Sequence, residues 1–288
     1  MRNLGRDQRT AKLSEHLRET LGGRGSKSFE GCVADFCEPK GWKSELGPWS
    51  NLANDPLVLG TAFGVHPHFS GMHFSSMDEE ILKARLGSRK CVAVGECGLD
   101  YSRNNDAPHE LQFEMFSRQL RIAVECDLPV IVHCRSRTAA EGALSGYSDS
   151  ETNAERRCFE IMKRELPSNH KIHRHCWTGS LEDLTVWLAD FPNMFYGLTT
   201  MVSCDNSGYS NPDLREVVER GPLERLVLET DAPYFLPRMF KLPAFGGLSH
   251  NVPSSAICVA IRVAEERNME LAELLRQIRR NSRDLYSV

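Results

Sequence analysis

Four short stretches of this sequence close an apolar run on an ionisable side chain. "CVAVGEC" (91–97) delivers Glu96, "PVIVHC" (129–134) His133, "KIHRHCW" (171–177) His175 and "RLVLETD" (225–231) Asp231. Imidazole nitrogens and carboxylate oxygens in that mixture are donors that Zn, Mn or Mg accept, with no thiolate needed. Each residue alone has a bland explanation: a lone strand histidine is more often a satisfied polar group, and an aspartate close to a proline can simply start a turn. Four such groups buried together without partners would cost several kcal/mol apiece, and a divalent cation offsets that cost.

Two further residues belong to the same ends of the chain's apolar runs. "LVLGTAFGVH" (57–66) leads into His66, Pro67 and His68. An H-x-H pair on a strand would put both imidazoles on one face, but the intervening proline argues for a turn already leaving the strand. His66 therefore reads as a substrate or phosphate contact, with a structural role about as frequent, and His68 stays undecided. Arg135, two residues past His133, has a guanidinium whose fork fits two phosphate oxygens; the alternative is an ion pair with a neighbouring acid. The polar stretch 135–153 suits a substrate-covering loop.

The elements that must position these side chains recur as a unit: an apolar run of strand length, a polar loop, then a helix-period segment. Seven runs qualify, at 29–37, 57–66, 91–97, 129–134, 171–177, 194–202 and 225–230. Helices are expected at 76–87 behind a Ser76/Glu79 capping spacing, at 110–126, 155–165 and 181–190, from Asn211-Pro212 onward, and at 254–267 and 270–286. Continuous apolar strands alternating with helices imply an α/β fold with a parallel sheet covered on both faces. No GxGxxG or GxxxxGK[ST] loop follows the first strand, so a doubly wound nucleotide fold is disfavoured. A TIM-type (β/α)8 barrel gathers its polar groups at the C-terminal strand ends, as here. With seven units and none in the polar segment 1–28, that barrel, spanning 29–288, is expected to lack its first strand.

Composition narrows the classes. The 288 residues are 41% hydrophobic with a formal net charge of −4, enough for one large core and without a bulk basic footprint for nucleic acid. Ten cysteines carry no CxxC pair and follow no signal peptide, which favours a reduced cytoplasmic or nuclear protein with no membrane span. Cys97, Cys134 and Cys176, each next to a candidate ligand, should face the opposite side of their strands as packing residues.

The stretches "GVHPH", "VAVGECGLDY", "QFEMFSRQLRIAVECDLPVIVHCR", "HRHCWTGS" and "LVLETDAPYFLP" resemble, in order and spacing, the TatD family of metal-dependent nucleases, over roughly residues 29–288; "ADFCEP" and "KIHRHC" point to an animal branch of it. The resemblance implies a TIM-type barrel hydrolysing phosphodiester bonds of DNA, in some members RNA, with up to two divalent ions (Mg, Mn or Zn). It implies that Glu96 bridges both metals, that His133 and His175 hold the second, and that Asp231 is a ligand that orients or deprotonates the attacking water. It also implies a first strand ending in "DTHCH", and no such motif occurs; His16 in "SEHLRET" is no substitute. A truncated gene model or splice form, or a divergent paralogue, would each explain this, and one ion instead of two is then expected. Two other functions are compatible with the residues: a catalytically impaired barrel that binds nucleic acid or a protein partner, and a small-molecule amidohydrolase-like enzyme.

Overall fold

The computed structural model describes residues 29–45, 47–102, 104–136, 153–203, 212–237 and 248–288. The segment 1–28 with His16, most of the polar stretch 135–153, Cys204 and Asn211 lie outside the described residues. Seven strands form one parallel sheet in strictly sequential order: β1 (Cys32–Phe36), β2 (Val58–Phe63), β3 (Cys91–Asp100), β4 (Val130–Arg135), β5 (Ile172–Arg174), β6 (Met194–Leu198) and β7 (Leu226–Leu228). This is the winding of a TIM-type barrel with one strand fewer than eight among the described residues.

The connections are helical: α1 (Pro39–Trp42), α2 (Pro48–Ala53), α3 (Ser76–Leu86), α4 (His109–Cys126), α5 (Ala154–Glu165), α6 (Leu181–Asp190), α7 (Pro212–Arg220), α8 (Ala256–Glu266) and α9 (Leu271–Tyr286). Seven of these match the expected segments; α1 and α2 do not, although Pro39 and Pro48 sit at their starts, where the absent N–H is no loss. The cap of α3 lies one residue earlier than the spacing suggested. Ser75 accepts from the Asp78 N–H while the Asp78 carboxylate accepts from the Ser75 N–H, a reciprocal box. α6 is capped by Ser180 as expected. Among the described residues no helix is long and apolar enough to cross a membrane.

Two apolar clusters follow from the alternation of strand side chains. One fills the layer between sheet and helices and includes Trp42, Phe116, Trp177 and Trp187, with Cys97 and Cys134, as the period of two requires. Cys176 departs from that rule: its φ of 48° ends the strand geometry, and its buried Sγ lies 3.8 Å from Thr199 Oγ1. The second cluster fills the curl's interior with Ala62, Ala93, Ile131, Phe195 and Val227. Leu285 and Tyr286 from the end of α9 complete it.

One irregularity positions the site. Between the pairs Val94↔Val130 and Cys97↔Val132, β3 advances three residues while β4 advances two. That extra residue is a β-bulge, which re-aims a side chain at the cost of local pairing. Gly95 sits in it at φ 150°, and a Cβ there would fall 2.7 Å from Ile131 Cβ. Glu96 is therefore in mid-strand at a bulge, not at a strand end as the apolar run suggested, because β3 continues to Asp100. His133 likewise stands two residues inside β4. His175 and Asp231 do follow the last residues of β5 and β7.

Candidate metal centre

Glu96 is the centre of the arrangement. Its Oε1 lies 2.7 Å from His133 Nδ1, 3.4 Å from His175 Nε2 and 4.0 Å from His66 Nε2. Its backbone N–H donates to Asp35 Oδ1 at 3.0 Å, which ties the bulge across the curl to β1. His175 Nε2 is also 3.7 Å from Asp231 Oδ1. The four side chains expected to converge from separate strands are thus within one contact network.

Each of the two inner histidines is held by a second carboxylate. His133 Nε2 lies 3.0 Å from Asp100 Oδ2, and His175 Nδ1 lies 2.5 Å from Glu229 Oε2. A carboxylate on one ring nitrogen fixes the tautomer and orientation of an imidazole whose other nitrogen meets a metal. Neither Asp100 nor Glu229 was singled out from sequence. The signal was there: Asp100 lies four residues past Glu96 in "GECGLDY", and Glu229 two residues before Asp231 in "LETD", each an even number of residues away and so on the same side of an extended chain.

Charge in the cluster is unbalanced in a telling way. Burial would raise the Glu96 carboxyl, but His175, His133 and His66 overcome it and hold the group well below its usual range. Burial opposes charge on His133 and His175 as well, yet the carboxylates beside them push both rings up. Burial, with Glu96 and Glu229 close by, pushes Asp231 up to about 6 against the pull of His175. Positive charge among these carboxylates can come from protons on the two rings or from a cation that replaces them, and the O and N donors fit a hard or borderline divalent ion. Among the described residues two donor groups have atoms close enough together to hold one: His66, Glu96 and His133, and Asp35, Cys37 and Glu96, each within 4.8 Å. Burial keeps the Cys37 thiol neutral by pushing it well up.

His66, expected as a phosphate contact, stands at the edge of this network. Its Nδ1 accepts from the His68 N–H at 3.2 Å, so the ring proton sits on Nε2 and points inward. Burial, aided by His133, lowers its pKa to about 3, so the ring is a neutral donor. His68, left undecided from sequence, contacts Asp100 Oδ2 at 3.2 Å and so shares that acceptor with His133. Arg135 ends β4 half-exposed, with Nη1 4.0 Å from the same Asp100 oxygen.

A family model described as TatD related DNase matches residues 14–287. The chain belongs to the TatD family. The human 3'-5' RNA nuclease TATDN2 is 37% identical over 262 residues, which cover 91% of this chain and 31% of that protein. The chain thus spans about a third of the length of this human relative. The 3'-5' ssDNA/RNA exonuclease TatD of Erwinia tasmaniensis is 34% identical, over 81% of this chain and 80% of that one. The crystal structure of YJJV, a TatD homologue from Escherichia coli, superposes with a TM-score of 0.71 at 26% identity, covering 95% of this chain and 92% of that one. A TatD family hydrolase from Entamoeba histolytica shares the fold at a TM-score of 0.67.

Proposed function

We propose that the unit spanning 29–288 is a divalent-metal-dependent nuclease hydrolysing phosphodiester bonds of single-stranded DNA or RNA. The observation that carries this reading is the pair of carboxylate-backed histidines, His133 and His175, converging on one oxygen of Glu96. The names of the TatD relatives supply the substrate class. Glu96, His133, His175 and Asp231 are the residues that would hold Mg, Mn or Zn.

A bound divalent ion supplies an activated water and neutralises phosphate charge. The chain's own groups do the rest. Asp231 Oδ1, 3.7 Å from His175 Nε2, is placed to orient an attacking water or accept its proton. His66 Nε2–H is a fixed donor for a non-bridging oxygen, placed without a charge that would compete for Glu96. The Arg135 fork, at the rim, can hold a second phosphate oxygen in two hydrogen bonds.

The test is cleavage of end-labelled single strands of DNA and of RNA with added Mg or Mn, together with metal content. Wild type should shorten the strands, while Glu96→Gln and Asp231→Asn should each lose bound metal and cleavage together. Unchanged metal content in both variants would overturn the ligand set. Strand binding without cleavage by wild type would assign the non-catalytic barrel instead, and turnover of a small ester or amide with no strand cleavage would assign the amidohydrolase-like alternative.

A further inference from the structure

The interior of the curl contains a polar chain that the proposed chemistry does not use directly. Tyr286, in the last turn of α9, places its hydroxyl 2.5 Å from His173 Nδ1. His173 Nε2 lies 3.6 Å from Glu229 Oε2, and that same oxygen meets His175 Nδ1 at 2.5 Å. Glu229 Oε1 accepts from the Cys176 N–H. Tyr286, His173 and His175 are buried, the Glu229 side chain is 13% exposed, and Tyr286 and His173 are separated by 113 residues in sequence.

The proton arrangement of this chain is determined by its last member. If His173 carried its proton on Nδ1, its Nε2 lone pair would face the Glu229 carboxylate, which is repulsive. If Tyr286 O–H donates to Nδ1, the His173 proton sits on Nε2 and faces Glu229 favourably. Burial first, then the nearby Glu229 and Asp35, pushes the Tyr286 phenol well up, so it stays a donor. Glu229, accepting from the Cys176 N–H and facing His173 Nε2 at 3.6 Å, accepts from His175 Nδ1–H and leaves Nε2 turned toward Glu96 and Asp231.

We propose that Tyr286 is a positioning residue for the metal centre, acting from the C-terminal helix through His173 and Glu229 to fix the ring of His175. The inference rests on the reading of His175 as a metal ligand. It places the last turn of α9 in the support of a site contributed by β3, β4, β5 and the segment after β7. Removal of one hydroxyl that touches no ligand should therefore loosen the metal.

The experiment uses the full chain, freed of metal and titrated with Co²⁺, followed by the visible Co²⁺ absorption spectrum and by thermal melting. Tyr286→Phe keeps the ring and its packing against the interior cluster. It should weaken Co²⁺ binding by about 10-fold or more and alter the band shape, the range seen when an outer partner of a metal-bound histidine is lost. Glu229→Gln should do the same. Leu285→Val, a neighbouring packing change, should lower the melting temperature and leave affinity and spectrum as in wild type. If wild type binds Co²⁺ and Tyr286→Phe matches it in affinity and spectrum, the positioning role is overturned and the metal centre stands. If wild type binds no Co²⁺, the metal centre fails and the positioning role falls with it.

Discussion

Gly197 on β6 and the Glu229 carboxylate occupy adjoining space with no room for a side chain between them. A Cβ on Gly197 would overlap Glu229 Oε1 and come within 2.6 Å of His173 Nε2. The backbone of β6 is thus the wall against which the carboxylate that orients His175 is pressed. Gly197→Ala should displace Glu229, destabilise the fold by about 2 kcal/mol, as overpacking of a filled core does, and weaken metal binding. Urea unfolding and Mn²⁺ titration of the same sample would check both effects; a variant with wild-type metal affinity would show that Glu229 can move without consequence.

Much of this arrangement was legible in the sequence because strand period and apolar runs are local signals. The seven runs locate the seven strands found among the described residues, and the side-chain alternation puts Cys97 and Cys134 in the outer layer. The bulge at Gly95–Glu96 was not legible, since it exists only as a mismatch between β3 and β4. The same is true of the contact between Tyr286 and His173, which joins residues far apart in the chain and leaves no local pattern. His173 was within reach: "HRH" places it two residues from His175, on the same side of an extended chain. The apolar run 194–202 overstated β6, which turns after Leu198 into a 3-10 segment at Thr200–Ser203.

Asp100 deserves a separate variant because two histidines depend on one of its oxygens. His133 Nε2 and His68 Nε2 lie 3.0 Å and 3.2 Å from Asp100 Oδ2. Asp100→Asn keeps the shape and removes the charge that orients His133. Metal affinity should fall about 10-fold to 100-fold, measured by Mn²⁺ titration, and the metal-free protein should melt lower as well, because this buried carboxyl is held well below its usual range, against burial, by its hydrogen bonds to His133 and His68.

A pH effect on stability is expected at the N-terminus of α3. Lys43 Nζ lies 2.6 Å from Asp78 Oδ1, and that ion pair, with the Ser75 N–H bond, lowers the Asp78 pKa from 3.8 to about 2. A depressed carboxyl stabilises the fold fully above its unfolded value, and the contribution is lost as pH falls through the folded value. The stability difference between wild type and Asp78→Ala should therefore be constant near neutral pH and shrink between about pH 4 and about pH 2. Urea unfolding across that range would reveal it; a difference independent of pH would show that the carboxylate charge contributes nothing there. Ser75→Ala should cost about 1 kcal/mol at neutral pH through the same cap.

The strongest stability prediction concerns Arg174, which is 1% exposed. Its guanidinium meets Glu155 Oε2 at 2.8 Å and donates to the carbonyl oxygens of Cys134 at 3.0 Å and His175 at 2.6 Å. Trp177 and Trp187 lie within 5.8 Å of it. It therefore joins the ends of β4 and β5 directly beneath two candidate ligands. Arg174→Met would leave the Glu155 carboxylate buried without its partner, a change that costs about 3–5 kcal/mol. Adding Glu155→Leu removes the orphaned charge and should recover a good part of that loss. The carbonyl oxygens of Cys134 and His175 would still be without their donor, so the double variant should regain stability more fully than metal affinity. Urea unfolding and Mn²⁺ titration of the single and double variants separate the two effects, and a double variant no more stable than the single one would show that the ion pair is not what Arg174 contributes.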